Sequence, residues 1–264
     1  MSLCIAVIVN GPYQRFIPTF TYFCIKSYPE YGVKIFLTNK LRNKYVNIMN
    51  TLGSIGDVEI KEDQFLDYPK SNQELKALRW MLKEKHFNAY DNVYIGDVDI
   101  LICRENISLE KQHLIHCNTN DLPYSNMIRP NVEHRFSGLH FIRRKEYYKH
   151  LEKIIEKYSK KLKSGGFKNF KNEELLYNMI DESVLNFPST WFWSHHGIHL
   201  GWYRNGNKKI RNEVWDILGG KKDYKQYYEF FSTIQQDELY KEVYKIEPLK
   251  EIKFMKESLL KDLF

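Results

Sequence analysis

Residues 3–9, LCIAVIV, form an unbroken apolar run closed by Asn10-Gly11-Pro12, which predicts a strand buried on both faces and then a turn. Residues 16–27 predict a helix, and 33–37 a second buried strand with Thr38 and Asn39 as the cap of a helix over 41–52 that ends near Gly53. A third strand follows at 58–60. Ser71 then caps a helix reaching about residue 85, which carries Leu75, Leu78, Arg79 and Met81. Strands alternating with helices imply a mostly parallel sheet, whose ligands bind beyond the carboxyl ends of the strands.

The next stretch, YDNVYIGDVDILIC over 90–103, organises the chain. Val93, Tyr94 and Ile95 read as a short buried strand, Gly96 breaks it, and Asp97 and Asp99 flank Val98 before Ile100, Leu101 and Ile102 resume the apolar run. In extended geometry residues two apart point the same way, so both carboxylates can face one hard cation while Val98 turns into the core. Oxygen ligands of this kind suit Mg²⁺ or Mn²⁺. The same three letters also describe a solvated turn or a pair of loop caps, but two acids set between aliphatic runs need compensation, which a divalent ion supplies.

Beyond Cys103 the text is polar to Arg135. Residues 136–142 then read as a strand, with Ser137-Gly138 at its start either opening the backbone to a ligand or marking a bulge. Residues 147–162 predict a helix with a solvated charged face, ended by Ser164-Gly165-Gly166. Asn172 caps a further helix over 172–180, with Glu173 and Glu174 in a first turn where the helix dipole alone would favour them. The segment WFWSHHGIHLGWYR gathers His195, His196 and His199 beside Gly197 and Gly201; three histidines in five positions suit an ion or a phosphate better than packing alone. There is no cysteine pair and no HExxH, so a histidine completing an aspartate site is favoured over a dedicated zinc site. From Lys221 on, Tyr, Phe, Lys and Glu alternate in helices expected to pack on the same domain.

Composition narrows this picture. The chain has 264 residues, 43% hydrophobic and 15% aromatic, enough for one large α/β domain with a helical appendage. A net charge of +7 suits an anionic partner, and the scattering of Lys among Glu and Asp argues against nucleic acid. Four cysteines without CxxC spacing and an amino-terminal apolar run too short to span a bilayer give the expectation of a reducing, cytoplasmic setting. The lack of a GxGxxG or a GxxxxGK argues against classical dinucleotide and P-loop binding, and any phosphate is expected to need the metal.

The NGPY turn, YIGDVD, FSGLHF, NEELLY and HHGIHLG, in that order over roughly residues 3–204, resemble the metal-dependent nucleotide-sugar glycosyltransferases of the GT-A fold. The order is most similar to the retaining family of the bacterial lipopolysaccharide galactosyltransferases and glycogenin. The resemblance implies an α/β, Rossmann-like GT-A domain over 1–215 and a C-terminal helical extension over 216–264. It implies Mn²⁺ or Mg²⁺ on Asp97, Asp99 and His199, with His196 as the alternative, and Glu173 and Glu174 near the reacting sugar. Asn10, Tyr13, Arg79, Asp97, Ser137, Gly138 and Arg204 would then bind the donor. The family's Lys-Pro-Trp is replaced here by Gly201-Trp202-Tyr203-Arg204, so Arg204 or Lys208 has to supply the cation for the leaving phosphate. The expected partners are a nucleotide-sugar donor, UDP-linked, and a glycan or lipid-linked glycan acceptor of surface polysaccharide or lipopolysaccharide synthesis, with peripheral membrane association. A metal-dependent nucleotidyltransferase or phosphohydrolase, and a non-catalytic nucleotide- or sugar-binding module, are the alternative readings of the same residues.

Overall fold

The computed structural model describes residues 3–68, 72–129, 132–167, 170–204 and 221–262. A six-stranded sheet in the order β3-β2-β1-β4-β7-β6 runs through the centre. Its middle strand β1, Leu3–Val9, pairs in parallel with β2, Gly32–Leu37, on one side and with β4, Asn92–Gly96, on the other. β3, Val58–Lys61, extends the parallel half. On the far side β7, His140–Arg143, and the short β6, Tyr124–Ser125, are antiparallel.

The sequence explains this arrangement. β1, β2 and β4 are almost wholly buried, as apolar runs between two helical layers must be. Helices α1, Ile17–Ser27, and α2, Asn43–Ile55, cover one face. The short α3, Asn72–Ala77, with α5, Arg144–Lys163, and α6, Asn172–Asp181, covers the other. α4, Leu109–Asn120, lies beside β6. The chain departs from β1 toward β2 and returns on its opposite side as β4, so the crevice beyond their carboxyl ends is where such a sheet binds ligands.

Four sequence expectations change. The helix expected from Ser71 to residue 85 stops at Ala77, passes into a 3₁₀ turn over Leu78–Met81 and straightens at Leu82, whose ψ is 130°. Leu78, Trp80, Met81 and Leu82 are all buried, more directions than one helix face supplies, and the core overrides helical preference. The strand expected from Phe136 begins only at His140; Phe136 makes an isolated bridge to Ile128 instead. Arg42 and Lys171, not Thr38, Asn39 or Asn172, occupy the cap positions of α2 and α6. Finally, β5, Ile100–Ile102, does not continue β4. It leaves the main sheet and pairs antiparallel with β8, Gly197–His199.

Of three C-terminal helices, α7 (Lys221–Ile234), α8 (Glu238–Ile246) and α9 (Lys250–Asp262), the first two lie against α1 and the third joins the same core. Phe231 stacks on Phe23 with centroids 6.0 Å apart, Tyr240 packs on Tyr22 at 5.6 Å, and Glu251 is ion-paired to Arg15. α9 also packs under the 3₁₀ turn Leu200–Tyr203. The expected boundary at 215/216 lies outside the described residues. No helix among the described residues is long and apolar enough to cross a membrane.

Candidate active site

A cavity of about 190 Å³ opens at the carboxyl ends of β1 and β4. Asn10 and Tyr13 line it from the turn after β1, Asp97, Val98 and Asp99 from the turn after β4, Lys76 from the end of α3 and Arg79 from the 3₁₀ turn that follows it. Glu173 enters from the first turn of α6, and His199 and Arg204 from the ribbon of β8 and the turn after it.

Asp97 and Asp99 do not lie on an extended strand. Residues 97–99 form a turn, closed by the Ile100 amide donating to the Asp97 carbonyl at 3.3 Å, because the chain here leaves one sheet for the other. Val98 is buried, as its apolar setting requires. Asp97 Oδ1 is 2.7 Å from Arg79 Nη1, and the same guanidinium nitrogen donates to the Gly138 carbonyl at 2.9 Å. Asp99 is buried and paired with Arg204, and its Oδ1 lies 3.6 Å from His199 Nε2.

The β5–β8 register produces that last contact. Ile100 faces His199, and the Leu200 amide donates to the Asp99 carbonyl at 2.8 Å, so the backbone pairing sets the imidazole beside the carboxylate. Two glycines permit it. A Cβ on Gly197 would lie 1.9 Å from the Leu101 carbonyl oxygen, and one on Gly201 would lie 2.7 Å from His199 Nε2 and 3.0 Å from Asp99 Oδ2. Burial acts to raise the Asp99 carboxyl, but the charge and hydrogen bond of His199 and the charge of Arg204 outweigh it and hold it down to about 2. For His199 burial acts downward, and the neighbouring Asp99 charge lifts the imidazole above its ordinary value. Each of the two groups favours the charged form of the other.

The opposite wall is built around Gly138. A Cβ there would meet Arg79 Nη1 and Asp97 Oδ2, each at 3.4 Å, and Glu173 Oε1 at 3.9 Å, so the absent side chain leaves the space on which these groups converge. Its neighbour Ser137 is buried and turned away, donating to the Leu139 carbonyl and sharing a 3.1 Å hydrogen bond with Ser194. The two adjacent glutamates also part. Glu173 lies between Arg135 at 3.1 Å and Arg129 at 3.5 Å, whereas Glu174 folds back on Lys171, accepting from its backbone amide at 3.3 Å and facing its ammonium at 3.3 Å. His196 is not in this cavity: it is buried against Glu105 at 2.7 Å and His113 at 3.0 Å. Lys208 lies outside the described residues.

Arg129 and Arg135 were not singled out in the sequence. A bridge between Ile128 and Phe136 and the Arg129 amide bonded to the Arg135 carbonyl at 2.9 Å bring them together. The available signal was the Pro130-Asn131 turn pair between two arginines.

For a divalent ion, the donors at hand are the carboxylates of Asp97 and Asp99 and the Nε2 of His199. Among the described residues no three His, Cys, Asp or Glu side chains are gathered into a ready-made cage, and both aspartates face arginines. The donor chemistry fits Mn²⁺ or Mg²⁺ all the same: two hard oxygen donors, an imidazole, and room for phosphate oxygens.

No protein-family model and no curated protein matches the sequence. Solved structures do. The apo-form glycosyltransferase GlyE of Streptococcus pneumoniae TIGR4 matches over 82% of this chain and 51% of its own, at 12% identity and a TM-score of 0.52, so the chain spans about half its length. The galactosyltransferase LgtC, in complex with donor and acceptor sugar analogs, is 11% identical over 67% of this chain and 70% of its own, with a TM-score of 0.42. Core-mannan synthase A of Aspergillus fumigatus, in its Mn/GDP form, is 7% identical over 68% of this chain and 69% of its own, with a TM-score of 0.45. The likeness is one of fold, and the chain adopts the mixed α/β, mostly parallel architecture of the GT-A glycosyltransferases.

Proposed function

We propose that the chain is a glycosyltransferase, a hexosyltransferase that moves a sugar from a nucleoside diphosphate to a glycan or lipid-linked glycan acceptor. One observation carries the reading: Asp97, Asp99, Arg79 and Arg204 surround a single cavity in the crevice between β1 and β4. Carboxylates and guanidiniums at that sheet edge are the pairing a nucleoside diphosphate and its counter-ion require. The family resemblance supports a UDP-sugar, a retaining outcome and a role in surface polysaccharide or lipopolysaccharide synthesis at the inner face of the membrane. It also supports residues 1–215 as the transferase domain and 216–264 as its extension.

In this reading Asp97, Asp99 and His199 hold Mn²⁺ or Mg²⁺, which supplies Lewis-acid stabilisation to the diphosphate when bound. Arg204 lies 4.9 Å from the Tyr13 ring centroid and donates to its hydroxyl at 2.8 Å, so it is oriented before the donor arrives. It takes up the negative charge that grows on the departing phosphate. Arg79 ties Asp97 to the Gly138 carbonyl and fixes the wall on which the donor sugar lies. Glu173, anchored by Arg129 and Arg135, is the carboxylate facing that wall and stabilises positive charge on the reacting sugar. In an inverting course Glu173 would instead take the proton of the acceptor hydroxyl.

The test is a calorimetric titration of UDP-, GDP- and CMP-sugars with and without Mn²⁺. One donor bound tightly, and only with the metal, is the expected result. No binding by any of them to folded protein would overturn the proposal.

A further inference from the structure

Residues 191–196 connect the surface to the edge of the cavity, and their side chains alternate. The odd members form a row: Trp191 stacks near Trp193 at 6.2 Å and 24°, and Trp193 on His195 at 4.6 Å and 23°. The row continues from His195 to His199, 5.5 Å away, with Trp202 against both rings at 5.8 and 5.3 Å. The even members point the other way. Phe192 stacks on His116 at 4.8 Å, Ser194 meets Ser137, and His196 joins Glu105 and His113.

Core packing therefore accounts for Phe192, Ser194 and His196, and the row is distinguished by its two ends and by its imidazoles. At its outer end Trp191 is 51% exposed, so a large indole stands open to a ligand. At its inner end His199 lines the cavity. Along it, the Nδ1 atoms of His195 and His199 are buried and have no hydrogen-bond partner among the described residues. An orphaned imidazole nitrogen carries a cost that a ligand hydroxyl would remove.

A saccharide answers all three features. One face of a pyranose is a patch of C–H groups, which packs on the negative face of an aromatic ring, and its rim of hydroxyls suits unpartnered nitrogens. We propose that the row from Trp191 to His199 binds the acceptor saccharide, with the hydroxyl to be glycosylated at the His199 end. The inference rests on the transferase reading above, and continuity with the cavity selects this occupant.

The test uses the full chain on an array of neutral and acidic oligosaccharides, followed by titration of the strongest ligand against tryptophan emission. Wild type binds an oligosaccharide with a shift in emission, Trp191→Ala weakens it at least tenfold, and Trp191→Phe restores most of the affinity. Calorimetric UDP binding by Trp191→Ala stays within twofold of wild type. Nucleotide binding with no oligosaccharide retained, or with equal affinity in Trp191→Ala, overturns this site and leaves the transferase reading standing. Oligosaccharide binding that depends on Trp191, with no nucleotide bound, sinks the transferase reading and leaves a saccharide site. Binding of phosphatidylglycerol vesicles that is lost in Trp191→Ala, without oligosaccharide binding, assigns the indole to a membrane and also overturns the proposal.

Discussion

Two clusters of acid and imidazole sit on either side of the β5–β8 ribbon, and they are built on opposite principles. In the cavity, Asp99 is paired with Arg204 and lies beside His199, whose Nδ1 has no hydrogen-bond partner among the described residues. Behind the ribbon, a line of hydrogen bonds runs from Glu105 to His196, His113, Ser125, His116 and the Thr190 carbonyl, every link between 2.7 and 3.1 Å. Each of its five links needs one proton, while three neutral imidazoles and one hydroxyl bring four. The line therefore closes only with one further proton, which offsets the charge of Glu105. The open cluster keeps atoms for a ligand, and the closed one is satisfied within itself. Histidines one residue apart, His195 and His196, part company, the first packing beside His199 and the second joining the closed line, because alternate side chains leave the backbone on opposite sides.

The contrast can be broken from either side. Asp99→Asn acts on the open cluster and removes the charge that holds His199 and Arg204. We expect transfer activity to fall by roughly 10²–10³-fold, about 3 to 4 kcal/mol of transition-state stabilisation, a larger loss than the folding stability that goes with the buried charge pair. Comparable loss of fold and activity would place Asp99 with the structural residues.

Glu105→Ala acts on the closed cluster. Leaving His196 and the Tyr227 hydroxyl without their carboxylate is expected to cost about 3 kcal/mol in chemical denaturation. Glu105→Gln should cost less, about 1 kcal/mol, because the amide can donate the proton that the line otherwise lacks and gives up only the hydrogen bond that Gln112 donates to the same carboxylate oxygen. Equal losses in the two variants would show that the line does not carry the extra proton.

The smallest effect is that of pH. Burial pushes His140, on β7, down to about 3, and drives His113 well below its ordinary value. At these two positions the unfolded chain takes up protons below about pH 6.5 that the folded chain refuses, so their contribution to stability is complete above that pH and falls as the solution is acidified toward pH 3. At pH 5.5 each such imidazole costs about 1.4 kcal/mol. His140→Phe should remove its share of the slope in melting temperature between pH 7 and 5.5, and an unchanged slope would sink this account.

What was legible in the sequence is where local chemistry leaves little choice. The runs at 3–9, 33–37 and 93–95 had to be buried strands, and turn signals between them fixed a parallel sheet with Asn10 and Asp97 at one edge. Type and order followed from period, without knowledge of contacts. Less was legible where several elements compete for one residue, as at Leu82, where burial of its neighbours overrides the helix.

The pairing partners of the charged residues depend on tertiary structure alone. Nothing in the spacing of the chain says that Ile100 registers with His199, yet that register sets Asp99 beside its imidazole and sends His196 away from it. Nor does it say that Arg129 and Arg135 close on Glu173 while Glu174 turns back to Lys171. Hydrophobic periodicity records which side of an element is buried, and so determines strands, helices and their order. Which acid meets which base is set by long-range strand register and loop closure, whose information lies in the packing of the whole core.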